Sequence, residues 1–159
     1  MPSTKALFES TLLYNDRFSL SFGIHSSLAA GIPSYRIVHF NSEVATTGES
    51  RTDQTSVGYA ATPGASAQVC GVTIDGSTPL TGSEYLPSFN RDRNVTVTLL
   101  GSMLVEVAPG AIIAAGSVVN ENAVGQAAAT GTATPFVAMT ASTGVGTATN
   151  PEYILVLVR

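Results

Sequence analysis

Short apolar and β-branched runs, each closed by Gly, Pro or Asp-Gly turn chemistry, repeat along most of this chain, and nothing after residue 20 sustains a helical period. Runs of this length suit strands and are too short to bury the face of a helix. Phe18-Ser-Leu-Ser-Phe-Gly-Ile24 alternates large apolar with small residues at a period of two, which predicts a strand with one face buried. Tyr35 to Phe40, Val57 to Ala61, Ala67 to Ile74 and Pro135 to Met139 read as further strands, with Pro63-Gly64 and Asp75-Gly76 as turns. Asn94 to Leu100 and Ser102 to Val107 flank Gly101, either as one long strand bent at the glycine or as two short strands joined by a bulge. The pattern predicts an all-β fold, a small β-barrel or β-sandwich spanning residues 18–159 as one domain.

Residues 1–17 stand outside that pattern. Leu7, Phe8, Leu12 and Leu13 fall on loosely helical spacing before a polar break at Asn15-Asp16, so either a short amphipathic helix or an N-terminal arm fits. Residues 41–56 are polar and read as a long loop, and Thr143 to Pro151 as a flexible one. At the other end, Tyr153 to Val158 is apolar at consecutive positions, so both faces of that strand are expected to be buried. The cover is either the barrel interior or a neighbouring subunit, and Ile154, Val156 and Val158 are the candidate subunit-interface residues.

Composition narrows the function. Seven Lys and Arg against eleven Asp and Glu give a formal charge of −4, a field that repels phosphate backbones and makes nucleic acid a poor partner. Only 11% of residues are charged, well below an ordinary domain, and depletion of charge is a feature of surfaces that neighbours cover. One cysteine, Cys70, excludes an internal disulfide, and with only His25 and His39 beside it a structural zinc site is not expected. No stretch of eighteen apolar residues is present to span a membrane as a helix, and residues 1–18 lack the pattern of a signal peptide.

Catalytic patterns are missing as well. Gly48-Glu-Ser50-Arg-Thr52 is the nearest approach to a nucleophile elbow and lacks its second glycine, while Gly144-Val-Gly146 has no third glycine and no following helix. Carboxylates are scattered singly at Glu43, Glu49, Asp53, Asp75, Glu84, Glu106, Glu121 and Glu152, which reads as solvated surface. No enzyme activity, cofactor or metal is expected. The one charge cluster, Arg91-Asp92-Arg93, precedes a strand and suits pairing with acidic groups on a partner.

The later elements resemble a known family. Val69-Cys-Gly-Val72, the glycine-split pair from Asn94 to Val107, Gly110-Ala-Ile-Ile-Ala-Ala-Gly-Ser-Val-Val119, Gly125-Gln-Ala127, Phe136 to Met139 and the closing Tyr153 to Val158 occur in the order seen in capsid cement, or head decoration, proteins of tailed bacteriophages. The resemblance covers residues 57–159 and departs from the family where Ser117 replaces the usual Asp after the second glycine of the turn.

It implies a β-tulip-like barrel or sandwich on the outer surface of a capsid in the virion, made in the host cytoplasm. It also implies a homotrimer that clamps adjacent major capsid protein subunits. On that reading Leu7, Phe8, Leu12, Leu13 and Tyr14 of the arm, with Arg91 and Arg93, are the candidate capsid contacts. The rival reading is a receptor- or glycan-binding head fibre or surface module.

Overall fold

The computed structural model describes residues 17–25, 27–28, 30–42, 55–74 and 94–159, which form nine strands. They are β1 (Phe18–Ile24), β2 (Ile37–Ser42), β3 (Thr55–Gly58), β4 (Ala65–Thr73), β5 (Asn94–Glu106), β6 (Val118–Glu121), β7 (Ala127–Ala128), β8 (Thr132–Ala138) and β9 (Tyr153–Val158). The architecture is all-β, with no helix among the described residues.

The first sheet closes on itself. Its order β1-β3-β2-β4-β5 is completed by an antiparallel β1–β5 ladder from Phe18↔Leu100 to Gly23↔Asn94, giving a five-stranded barrel. β1 and β3 run parallel, while the other four pairings of the barrel are antiparallel. Its core is Ile24, Ile32, Val38, Val57, Cys70, Val95 and Val97, with the Phe22 and Phe40 rings in an edge-on contact beside it, centroids 5.9 Å apart.

β5 then leaves the barrel and founds a second sheet, β5-β9-β8-β6-β7, in which every ladder is antiparallel. Asn94 to Leu100 lie in the barrel, and Gly101 to Glu106 pair with β9. The hand-over falls at Gly101, whose φ of 112° is a backbone region that side chains with a Cβ rarely enter. The two alternatives read from the sequence are thereby resolved in favour of one long strand that changes sheet at its glycine. The last strand of the second sheet returns to the chain just after β5 through a Val107↔Ala127 bridge and an Ala108 N–H to Ala127 carbonyl bond of 2.8 Å. That return covers an edge that would otherwise invite strand addition.

The two sheets share a core. Met103, Val105, Val107, Val119, Phe136, Ala138, Ile154, Val156 and Val158 pack with Ile37 and Val72, which come from the barrel wall. Ile154, Val156 and Val158 are 0%, 0% and 1% exposed in the single chain, so the expectation that they meet a neighbouring subunit is corrected. Their face of β9 is already filled by the chain itself and offers a partner no surface.

A second difference lies in β1. Its bounds match the sequence pattern, but burial follows it only toward the end, where Ile24 is 5% exposed while Phe18 and Leu20 are 55% and 45% exposed. The barrel interior is filled by Val95, Val97 and their neighbours, and the start of β1 lies beyond it. The expected capsid contacts Leu7, Phe8, Leu12, Leu13, Tyr14, Arg91 and Arg93 fall outside the described residues. Arg17, the one described residue of the expected arm, points a guanidinium nitrogen at the Met103 sulfur, 3.1 Å away.

Candidate functional site

Two places on this fold are built to do more than hold it together: an uncharged apolar surface, and a polar seam between barrel and second sheet.

The surface follows from strand register. Val118 of β6 sits opposite Val137 of β8, Val137 opposite Leu157 of β9, and Leu157 opposite Ser102 of β5. Two residues back along β5, Leu100 sits opposite Phe18. Val118, Leu157, Leu100, Phe18, Leu20 and Met139 are 38–56% exposed. None carries a charge, and apolar rows of this kind crossing strand after strand are a common feature of protein surfaces that meet partners. On β9 the outward residue is Leu157, the neighbour of the inward Val156 and Val158.

Nearby, two loops are fixed side by side. The Ser142 side chain, 4% exposed, accepts the Ile113 N–H at 2.8 Å and donates to the Ala111 carbonyl at 2.9 Å. The Glu152 carboxylate accepts the N–H groups of Thr143 (2.7 Å) and Gly144 (3.1 Å) and the Thr143 hydroxyl (3.1 Å). The segment expected to be a flexible loop is therefore tied at its base, and it presents Val145, 77% exposed, beside Ile112, 70% exposed. Glu152 is a loop-closing carboxylate, where the sequence suggested a solvated one.

The seam is polar and mostly buried. The Ile37 N–H donates to the Gly125 carbonyl at 2.7 Å, and the Glu106 N–H to the Tyr35 carbonyl at 3.0 Å. Arg36 and Glu106 form an ion pair at 2.9 Å, and the Gln126 amide donates to the same Glu106 oxygen at 2.6 Å. Deeper, His39 of β2 meets Glu121 of β6 through Nε2 and Oε1, and its Nδ1 lies 2.9 Å from the Ser66 carbonyl. The side chains are 2% and 0% exposed.

The sequence pattern placed Glu121 on a solvated surface, whereas the structure buries it against His39. The signal for Glu121 was present: it stands two residues after Val119 in a strand, hence on the same buried face.

These groups do not assemble into a nucleophile and base. Burial pushes the Cys70 thiol up to about 12, which keeps it protonated and inert. His25 bonds the hydroxyl of Ser27 two residues on, at 2.7 Å. The Gly48 to Thr52 segment falls outside the described residues. No group of three His, Cys, Asp or Glu side chains converges among the described residues.

Comparison with solved structures shows what the fold is similar to. The fold is shared with a bacteriophage head fibre base. The crystal structure of the head fiber gp8.5 N base in bacteriophage phi29 is similar over 90% of this chain and 94% of that one, with a TM-score of 0.50 and 11% sequence identity. No family model matches the chain, and no curated protein matches it. The likeness takes in barrel and second sheet together, whereas the cement-protein resemblance starts only at residue 57.

Proposed function

We propose that the chain is a non-enzymatic structural protein of a bacteriophage virion that sits on the outer surface of the head. The observation that carries this reading is the likeness, over nine-tenths of the chain, to a head fibre base. The cement-like order of elements after residue 57 points the same way, as do the large apolar side chains exposed among the described residues.

In the finer form of the proposal the protein docks as a homotrimer and clamps adjacent major capsid protein subunits. The patch formed by Phe18, Leu20 and Leu100 continues directly from the arm of residues 1–17 and belongs to the capsid-facing surface. The row of Leu157, Val137 and Val118 takes the place of Ile154, Val156 and Val158 as the subunit contact, moving that interface to the opposite face of β9. A protein that binds only the assembled shell stabilises it by mass action, by roughly 4 kcal/mol at a thousandfold excess over Kd. Three chains acting together reach such occupancy through individually weak contacts.

The test is co-sedimentation of the purified protein with expanded, undecorated shells, alongside its mass in solution. Pelleting with the shells at a trimeric mass is expected. A protein that stays in the supernatant while the shells pellet overturns the reading.

The rival reading, a fibre or surface module that binds a host receptor or glycan, draws support from the likeness to a fibre base and from the exposed Ile112 and Val145 on loops tied at their base. Against its glycan form, the loop from Thr140 to Glu152 has no aromatic side chain for a sugar to stack on.

A further inference from the structure

The His39–Glu121 pair ties the two halves of the fold together through groups that titrate, and its proton inventory follows from geometry. The Ser66 carbonyl only accepts, so His39 Nδ1 must carry a hydrogen. Nε2 faces a carboxyl oxygen. Either Nε2–H donates to a carboxylate, or a protonated carboxyl donates to a neutral ring. In both arrangements the bridge holds one proton and the pair is neutral overall.

Removing that proton leaves an Nε2 lone pair against a bare carboxylate, both inside the protein. The second oxygen, Oε2, is already buried without a hydrogen-bond partner among the described residues. A buried anion in that state is expensive.

We propose that the His39–Glu121 bridge is a proton-dependent latch between barrel and second sheet, closed while the bridge holds its proton and loosened when alkaline conditions remove it.

The surroundings leave this control to the pair. β3 and β4 flank His39 and carry no charged side chain, and β7 and β8 flank Glu121 and carry none. Cys70 on β4 stays a thiol, held up at about 12 by burial. Tyr59, just past β3, is raised too, by burial first, with Arg36 opposing and Glu106 adding. Arg36 and Glu106 are engaged with each other.

Burial alone would lower the His39 value, but the hydrogen bond and charge of Glu121 and the Ser66 carbonyl outweigh it, and the net direction is up from 6.5. A folded-state value above the unfolded one contributes stability that is complete below 6.5 and is lost as pH rises through the folded value.

The experiment is amide hydrogen exchange and denaturant unfolding of the intact chain from about pH 6, near the ordinary histidine value, to about pH 9, above it. The Ile37 amide reports the seam, the Val97 amide reports the barrel interior, and both are corrected for intrinsic base catalysis. Protection at Ile37 is expected to fall relative to Val97 by about tenfold, which is within the range that an unsatisfied buried polar group costs.

Glu121→Gln separates proton control from packing, because an amide N–H donates to the neutral ring at any pH in this span. That variant is expected to show no such fall. A constant Ile37-to-Val97 ratio in the natural chain overturns the latch, and so does the same alkaline fall in Glu121→Gln. Should Glu121→Gln not fold, the ratio in the natural chain decides by itself.

Discussion

The barrel and the second sheet are founded on the same strand, β5, yet they are assembled from opposite kinds of neighbour. The barrel gathers strands from far apart and closes only when β1 reaches β5 across everything between them, with Phe18 opposite Leu100. In the second sheet β6, β7, β8 and β9 follow one another along the chain within residues 118–158. Distant pairings make the loop-closure cost fall before the contacts repay it, whereas nearby pairings repay it at once. The second sheet is therefore the self-reliant half, and the barrel is the half that depends on closure. Both interiors are filled, and both halves leave apolar side chains outside, Phe18, Leu20 and Leu100 on the closing ladder of the barrel and Val118, Met139 and Leu157 on the second sheet.

The contrast in assembly breaks most severely in the shared core. Phe136 is 1% exposed and is the largest fully buried side chain among the described residues, in a cluster that also takes Ile37 and Val72 from the barrel wall. Phe136→Ala is expected to cost about 3–5 kcal/mol through lost transfer energy and the cavity left behind. Because the cluster spans both halves, barrel and second sheet are expected to unfold in one transition. Denaturant melting followed separately at Tyr59 and at Tyr153 checks this, and two separated transitions in the natural chain would show the halves to be independent.

A smaller change at the joint should pull the halves apart. Gly125 has φ +71°, and a Cβ placed there would lie 2.3 Å from the Ile37 carbonyl oxygen, which is backbone and cannot swing aside. Gly125→Ala is expected to cost about 2 kcal/mol from the left-handed backbone and the displaced contact. Exchange should rise at the Ile37 amide, which donates to the Gly125 carbonyl, well before it rises at Val97. Equal acceleration at both amides would mean that the joint has no independent motion.

How much of this was legible in the sequence depends on whether the determinant was local. The bounds of β1 and β9 follow from period-two alternation and from a solid apolar run, and Gly101 was marked as the place where a strand bends. What local pattern does not carry is the identity of the layer that each face meets. Phe18 and Leu20 alternate like core residues but end outside, because closure places the barrel interior further along β1. For Ile154, Val156 and Val158 the sequence left the cover open between the barrel interior and a neighbouring subunit; the chain's own barrel wall, with Ile37 and Val72, supplies it, while Leu157 on the other face of β9 stays exposed.

Glu121 and His39 show the same limit in polar form. Each looked like a single scattered group, and only the packing of the second sheet against β2 brings the carboxylate to the ring. Of the candidate site, the low charge was legible throughout, but the row from Val118 to Leu157 needed the register of three strands before it became a surface.

The smallest expected effect on stability is the most informative about function. Phe18 and Leu100 face each other on the closing ladder and are 55% and 56% exposed, so replacing both with serine removes little that the folded chain buries. The double variant Phe18→Ser, Leu100→Ser is expected to shift unfolding by no more than about 0.5 kcal/mol, as surface substitutions do. If this face meets a capsid, the same variant loses most of its co-sedimentation with shells, because exposed aromatic and aliphatic anchors become hot spots only once a partner desolvates them. Unchanged shell binding at unchanged stability would remove the patch from the contact surface and leave the arm and the Ile112–Val145 tip to carry it. A large loss of stability would mean instead that the closing ladder holds the barrel shut through these side chains, which would sharpen the barrel's dependence on closure.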